Sequence, residues 1–193
     1  MEQPVTVTTN TEAVFVVDDT VYYNMFGPII EIVAYGPVLR KLAELSSYNN
    51  IVVNISSEGG DVEATQCIID AIMKYKHVIT RAIGKCYSAA FEVWLIGHER
   101  FCYPYTSFMF HRERFGTFGK YVENFEMIEH LRKMHDAYLQ ELGILQLFTQ
   151  EDVAKMEHGE VYVLGQELIN KTICCAMHIY RDNINLPGSQ GGN

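Results

Sequence analysis

Apolar residues along this 193-residue chain fall into two rhythms. Short β-branched or aromatic runs bounded by turn residues read as strands. They lie at Ala13–Val17, Ile29–Ala34, Ile51–Ile55, Val78–Ile83, Phe101–Tyr103, Ser107–Phe110, Val161–Leu164 and Thr172–Ile179. Between them, apolar positions recurring at threes and fours predict helices. One spans Gly36–Leu45, with Pro37 tolerated in its first turn. A second covers about Val62–Lys76, where Ile68, Ile69, Ile72 and Met73 keep the spacing. Ser88–Ile96 is almost wholly apolar, so a helix there is stable only if buried. A long amphipathic helix runs from about Lys120 to Leu142 and stops at Gly143. Thr149 and Asp152 make a loose capping box that opens a short helix, and another short helix lies near Gln166–Asn170. Strand and helix alternating in this way imply an α/β domain with helices packed on a sheet. The pattern alone leaves the particular fold open.

A single domain spanning residues 1–193 is the simplest reading of this length. A polar arm over residues 1–12 and a tail over residues 181–193 read as flexible flanks. Fifteen basic against 24 acidic residues give a net charge of −9, which argues against nucleic-acid binding. No run approaches the roughly 18–20 apolar residues of a membrane span. The N-terminus is polar, without the basic start of a secretory signal. Five cysteines without metal-ligand spacing read as reduced thiols of a cytoplasmic protein; no metal and no cofactor is expected.

Candidate chemistry concentrates in three segments. Ser88 stands where the strand-like run 78–83 breaks at Gly84 and an apolar helix begins, a placement that suits a nucleophile. The Ala89 N–H, just after it, is the natural first oxyanion donor. The Ser57-Glu-Gly-Gly60 turn offers a second at Gly60, and Gly59 lets a substrate approach the backbone. His111 ends an apolar strand and is followed by charged residues, which suits a general base at a strand exit. Taken singly, Ser88 also reads as a buried helix cap, the glycines as a turn and His111 as structural. His130 and His135 fall in the long helix and His158 in a loop, without such a setting. Cys86 reads as a packed thiol rather than a rival nucleophile.

Taken together, these segments resemble the proteolytic subunit of Clp protease. Ile55-Ser-Ser-Glu-Gly-Gly60 is similar to the family's INSPGG segment, and Ile83–Phe91 resembles its IGQAASMGA turn around the nucleophile. Tyr103-Pro104 with Phe108-Met-Phe-His111 keeps the family's proline-to-histidine interval. Gly116 and Gly119 fall where the family has glycines in its substrate-pairing strand, and Val161–Leu168 is similar to its RFLSAPEAVEYGL segment. The likeness covers about residues 22–180 in unbroken order.

That resemblance implies a crotonase-like superhelix of ββα units with a protruding handle helix, here about Lys120–Leu142. It implies peptide-bond cleavage by a Ser88–His111–acid triad inside a chamber of one or two heptameric rings, fed by an AAA+ ATPase. Polypeptide substrates would pair as an added strand near Phe115–Lys120. The family's aspartate aligns with Glu160, with Glu157 a second candidate. Glutamate adds a methylene that requires a shifted backbone. Ala90 stands where the family has glycine; Lys85 and Tyr87 replace smaller or neutral residues, and the interval from Ser88 to Pro104 is two residues shorter. Divergence of this kind fits a viral or accessory homologue. Two alternatives follow: a weak or inactive ring subunit that modulates a Clp complex, and an acyl-CoA-processing crotonase enzyme, in which the Ser/His pair would be unexplained.

Overall fold

Ile51, Val52, Val53 and Ile55 are all at most 2% exposed. A strand buried on both faces belongs in the middle of a covered sheet, which explains the unbroken β-branched run. The computed structural model describes residues 13–112, 121–143, 147–156 and 158–178. The predicted arm 1–12, the tail 181–193, Gly116, Gly119 and Glu157 lie outside the described residues.

Eight strands form one sheet among the described residues. They are β1 (Val14–Val17), β2 (Thr20–Phe26), β3 (Asn50–Ser57), β4 (His77–Tyr87), β5 (Glu99–Cys102), β6 (Ser107–Phe110), β7 (Val161–Leu164) and β8 (Cys175–Ala176). The order β1-β2-β3-β4-β5-β8 is parallel except for the β1–β2 hairpin, which turns through Asp18 at φ 50°. Six helices join them: α1 (Ile32–Glu44), α2 (Val62–Ile72), α3 (Ala89–Leu95), α4 (Tyr121–Glu141), α5 (Gln150–Met156) and α6 (Gly165–Asn170). The expected α/β layering is met.

Three differences from the sequence reading have physical causes. The predicted strand Ile29–Ala34 is replaced by the start of α1, and Ile29 keeps a single bridge to Gly60. A short apolar run does not separate strand from buried helix. Here Tyr35, Val38 and Leu42, spaced at three and four, bind the helix to the core. Second, β2 had no counterpart in the sequence reading, although buried Val21, Tyr23 and Met25 alternate with the more open Tyr22 and Asn24. Third, of the described residues in the expected strand Thr172–Ile179, only Cys175–Ala176 are strand.

Elsewhere the local signals operate as read. The Thr149 hydroxyl accepts from the Asp152 N–H at 3.1 Å while Asp152 Oδ2 accepts from the Thr149 N–H at 3.2 Å, so aspartate closes the box that opens α5. The long helix α4 buries His135 and Leu139 but leaves Phe125, Met127, Ile128 and Met134 exposed.

Candidate active site

Strand β4 forks. Its first half, Ile79–Ala82, pairs with β5, and its last three residues, Lys85–Tyr87, pair with β6. Between them lies a register shift against β3, with Gly84 at φ 77°. Gly84 therefore bends the strand rather than ending it, as a glycine in a bulge does. The bend carries the chain onto β6, and the next residue is Ser88.

Ser88 has φ 53° and ψ −126°. That is the first central position of a type II′ turn, ordinarily left to glycine, so a serine there stores about 1–3 kcal/mol of backbone strain. Its N–H donates to the Met109 carbonyl at 2.7 Å, and its carbonyl accepts from the Phe91 N–H at 2.8 Å. The turn is thus held at both ends. Although Ser88 occupies the cap position of α3, its side chain makes no capping bond. The helix-cap reading of this serine fails, and the half-buried residue lines the cleft.

Behind it, α3 is clamped to β6 by aromatic rings. Phe91 meets Phe108 at 5.5 Å and Phe110 at 6.0 Å between ring centroids, and Trp94 meets Phe108 at 4.7 Å. Such pairs add about 0.5–1.5 kcal/mol each beyond burial. They join the helix that follows Ser88 to the strand that precedes His111.

The glycine turn closes on the same corner. Gly59 has φ 83°, and a methyl group there would meet the Tyr87 carbonyl at 2.5 Å, the Ala89 nitrogen at 2.9 Å and Ser88 Cβ at 2.9 Å. Its N–H donates to the buried Ser57 hydroxyl at 3.0 Å. Gly60, at φ 148°, bridges Ile29, whose N–H donates to the Gly59 carbonyl and whose carbonyl accepts from the Asp61 N–H. In a parallel bridge of this kind Gly60's own N–H points to the other side, away from Ile29. A side chain at Gly60 would collide with the Ile29 carbonyl.

Gly59, Gly60, Ser88 and His111 line one cleft of about 620 Å³, together with Glu58, Asp61, Val62 and Glu63. His111 follows β6 directly, two residues beyond the carbonyl that anchors Ser88. Its Nδ1 lies 2.7 Å from the Arg112 carbonyl. A carbonyl only accepts, so Nδ1 carries the proton there and Nε2 is the basic nitrogen. Arg112 is itself ion-paired to Asp136 of α4.

Glu160 precedes β7, whose antiparallel register with β6 matches Phe110 to Val161. The ladder stops at that pair; His111 and Glu160 are the next residue beyond it on each chain segment. Its carboxylate, however, accepts from the Tyr162 hydroxyl at 2.7 Å, a bond that raises the Tyr162 phenol above its ordinary range. The same face carries Tyr87 edge-on to Tyr162, with centroids 5.9 Å apart.

Two neighbours of Ser88 are accounted for. Cys86 is fully buried, its thiol donates to the Ala90 carbonyl at 3.3 Å, and burial pushes its pKa well up, so it is no rival nucleophile. Lys85 is ion-paired to Glu58, and that hydrogen bond holds the Glu58 carboxyl below its usual range. The added cation is therefore matched at the cleft rim.

Two buried polar groups, Glu92 of α3 and His135 of α4, lie on the helices around the site. His135 is 6% exposed, and its pKa is lowered first by burial and then by the Arg112 and His111 charges, with Asp136 opposing. Glu92, on α3, is 4% exposed and faces Tyr138, whose phenol is driven far up by burial and by that carboxylate. Glu92 in an apolar helix stretch was the one available signal of a buried polar contact.

A mixed α/β fold with a strained serine and a histidine on one cleft is of the kind serine peptidases use. The sequence model of the Clp protease family matches residues 27–160, more than half of the chain, including Gly59, Gly60, Ser88, Ala89, His111 and Glu160. The chain belongs to the Clp protease family, a family of serine peptidases. No curated protein matches it significantly.

Proposed function

We propose that the protein is a serine endopeptidase of the Clp proteolytic type. In this reading Ser88 Oγ attacks the scissile carbonyl while His111 Nε2 takes its proton. The Gly60 and Ala89 N–H groups receive the developing oxyanion, an interaction whose loss typically costs about a hundred- to a thousandfold in turnover. His111 then returns the proton to the leaving amine, and water releases the acyl group by the reverse sequence. Glu160 orients the imidazole in the working state, swinging from Tyr162 toward His111, each standing one residue beyond the end of the β6–β7 ladder. Glu157 is the second candidate. Gly59, Gly116 and Gly119 serve substrate binding.

The family supplies the wider setting. The proposal is of one domain with a crotonase-like superhelix in which α4 is the handle helix. Copies assemble as one or two heptameric rings, take polypeptides from an AAA+ unfoldase and work in the cytoplasm.

The observation that carries the reading is the backbone of Ser88. A strained serine whose hydroxyl serves no cap, lining a cleft shared with a histidine, is hard to explain by packing. The test is hydrolysis of a fluorogenic peptide together with labelling by a fluorophosphonate. Wild type is expected to turn over and to be labelled at Ser88; Ser88→Ala abolishes both. Labelling elsewhere, or turnover that survives Ser88→Ala, overturns the proposal.

One observation favours the second reading, an inactive ring subunit. The Glu160 carboxylate is engaged by Tyr162 and the His111 Nδ1 by its own neighbour's carbonyl. Absence of turnover in a ring that assembles and accelerates a partner protease would select it.

A further inference from the structure

On the far edge of the sheet from the cleft's glycine turn, two cysteine sulfurs touch. Cys102 Sγ, at the end of β5, lies 3.4 Å from Cys174 Sγ, just before β8. All five cysteines are free thiols. The register pairs Phe101 with Cys175 and Cys102 with Ala176, so Arg100 stands beside Cys174 on the neighbouring strand. Arg100 is fixed: its Nε donates to the Ile173 carbonyl at 3.0 Å, and its Nη1 donates to the carbonyls of Leu95 and Gly97.

We propose that Cys102 and Cys174 are a reversible disulfide-forming pair that reacts with low-molecular-weight disulfides. The geometry separates their roles. Cys174 is half-buried, and its pKa is lowered first by the hydrogen bond from Cys102 and then by the Arg100 charge. Cys102 is fully buried, and the same contact raises its pKa. Cys174 is therefore the attacking thiolate and Cys102 the resolving thiol.

The exchange balances in two steps. Cys174 loses its proton to solvent, and its thiolate attacks one sulfur of the small disulfide, forming a mixed disulfide and expelling one thiolate. Cys102 then loses its proton and attacks Cys174 Sγ, expelling the second thiolate. The two released protons reside on the two small thiols, so two protein thiols are oxidised and one small disulfide is reduced to two thiols. Closing 3.4 Å to the ~2.05 Å of a disulfide asks each sulfur to move about 0.7 Å. Cys102 Sγ also makes a long 3.9 Å hydrogen-bond approach to the Gly165 carbonyl, weak enough to be given up in that swing.

The other thiols are differently placed. Cys86 is sealed in the core, Cys67 sits on α2, and Cys175 is exposed beside Cys174. The bond would close a loop across 72 positions and tie the two-residue edge strand β8 to β5.

The test incubates the full chain with oxidised glutathione, alkylates the remaining thiols and maps the disulfide by mass spectrometry. Cys174 and Cys175 fall in one tryptic peptide, so Cys175→Ser and Cys174→Ser variants assign the partner. The expected product has lost about 2 Da, the two thiol hydrogens, keeps the link in Cys175→Ser and loses it in Cys174→Ser. It melts several degrees higher than the reduced chain, and dithiothreitol reverses the change. Cys102→Ser should instead retain one glutathione on Cys174. Circular dichroism checks each variant's fold, with Cys102→Ala and Cys174→Ala as second choices. Full alkylation of both cysteines after oxidation, a link through Cys175, or a glutathione that persists on the wild-type chain would overturn the proposal. None of these readouts depends on peptidase activity.

Discussion

Replacing Gly59 by alanine would drive a methyl group into the backbone on either side of Ser88. Two costs add. The first is conformational: φ 83° costs an L-residue about 1–2 kcal/mol. The second is steric, since the new Cβ would lie 2.5 Å from the Tyr87 carbonyl and 2.9 Å from the Ala89 nitrogen. These are backbone atoms in a turn held at both ends, so relief requires moving the Ser88 corner. Overpacking of this kind typically costs 1–3 kcal/mol, giving a total of about 2–5 kcal/mol. Gly143→Ala is the control: it has φ 69° with nothing within 4 Å of the added methyl, so only the conformational cost applies. Urea unfolding of both variants isolates the steric part as their difference, expected at about 1–3 kcal/mol. Displacing Ser88 also predicts a loss of about a hundredfold in peptide turnover for Gly59→Ala, against little change for Gly143→Ala. Equal destabilisation by the two variants would refute the claim that the glycine turn is pressed against the Ser88 corner.

Ser88→Gly should raise stability by about 1 kcal/mol in urea while abolishing turnover, because glycine adopts φ 53° without strain; Ser88→Ala should not show that gain. Glu160→Gln is expected to lower kcat by about a hundred- to ten-thousandfold with little change in KM; full activity would mean that the Arg112 carbonyl suffices to orient His111. The folded-state pKa of His135 is depressed, so its stabilising contribution is complete above the unfolded histidine pKa. That contribution is lost as pH falls from about 6.5 toward the lower folded value. His135→Gln should therefore flatten the acid limb of stability against pH by at most about 1.4 kcal/mol per pH unit; an unchanged slope would show that His135 titrates alike in both states.

What could be read from the chain alone follows the range of the forces involved. Ile51–Ile55, Val161–Leu164 and the Thr149 cap are local arrangements, and each was visible in a few residues. The alternation at Val21, Tyr23 and Met25 was equally local and went unread. Ile29–Ala34 failed because tertiary packing of Tyr35, Val38 and Leu42 decides that segment. The meeting of Ser88 and His111 depends on β4 pairing with β6 beyond the Gly84 bend, which no short-range pattern encodes. Family likeness supplied that link. His135 was hidden for a related reason: periodicity marks a helix face but does not say which charges will lie against it.

The branching of β4 has a mechanical consequence. Ser88 stands at the junction between the large parallel trunk and the small β6–β7 wing, whereas His111 and Glu160 ride on the wing alone. The wing meets the trunk over a short ladder and the α3 rings, so amide exchange in Ser107–Phe110 and Val161–Leu164 is expected to open as a unit separate from the trunk. The nearness of Ser88 to His111 then rests on Lys85–Tyr87 and on the rings of α3 that grip β6.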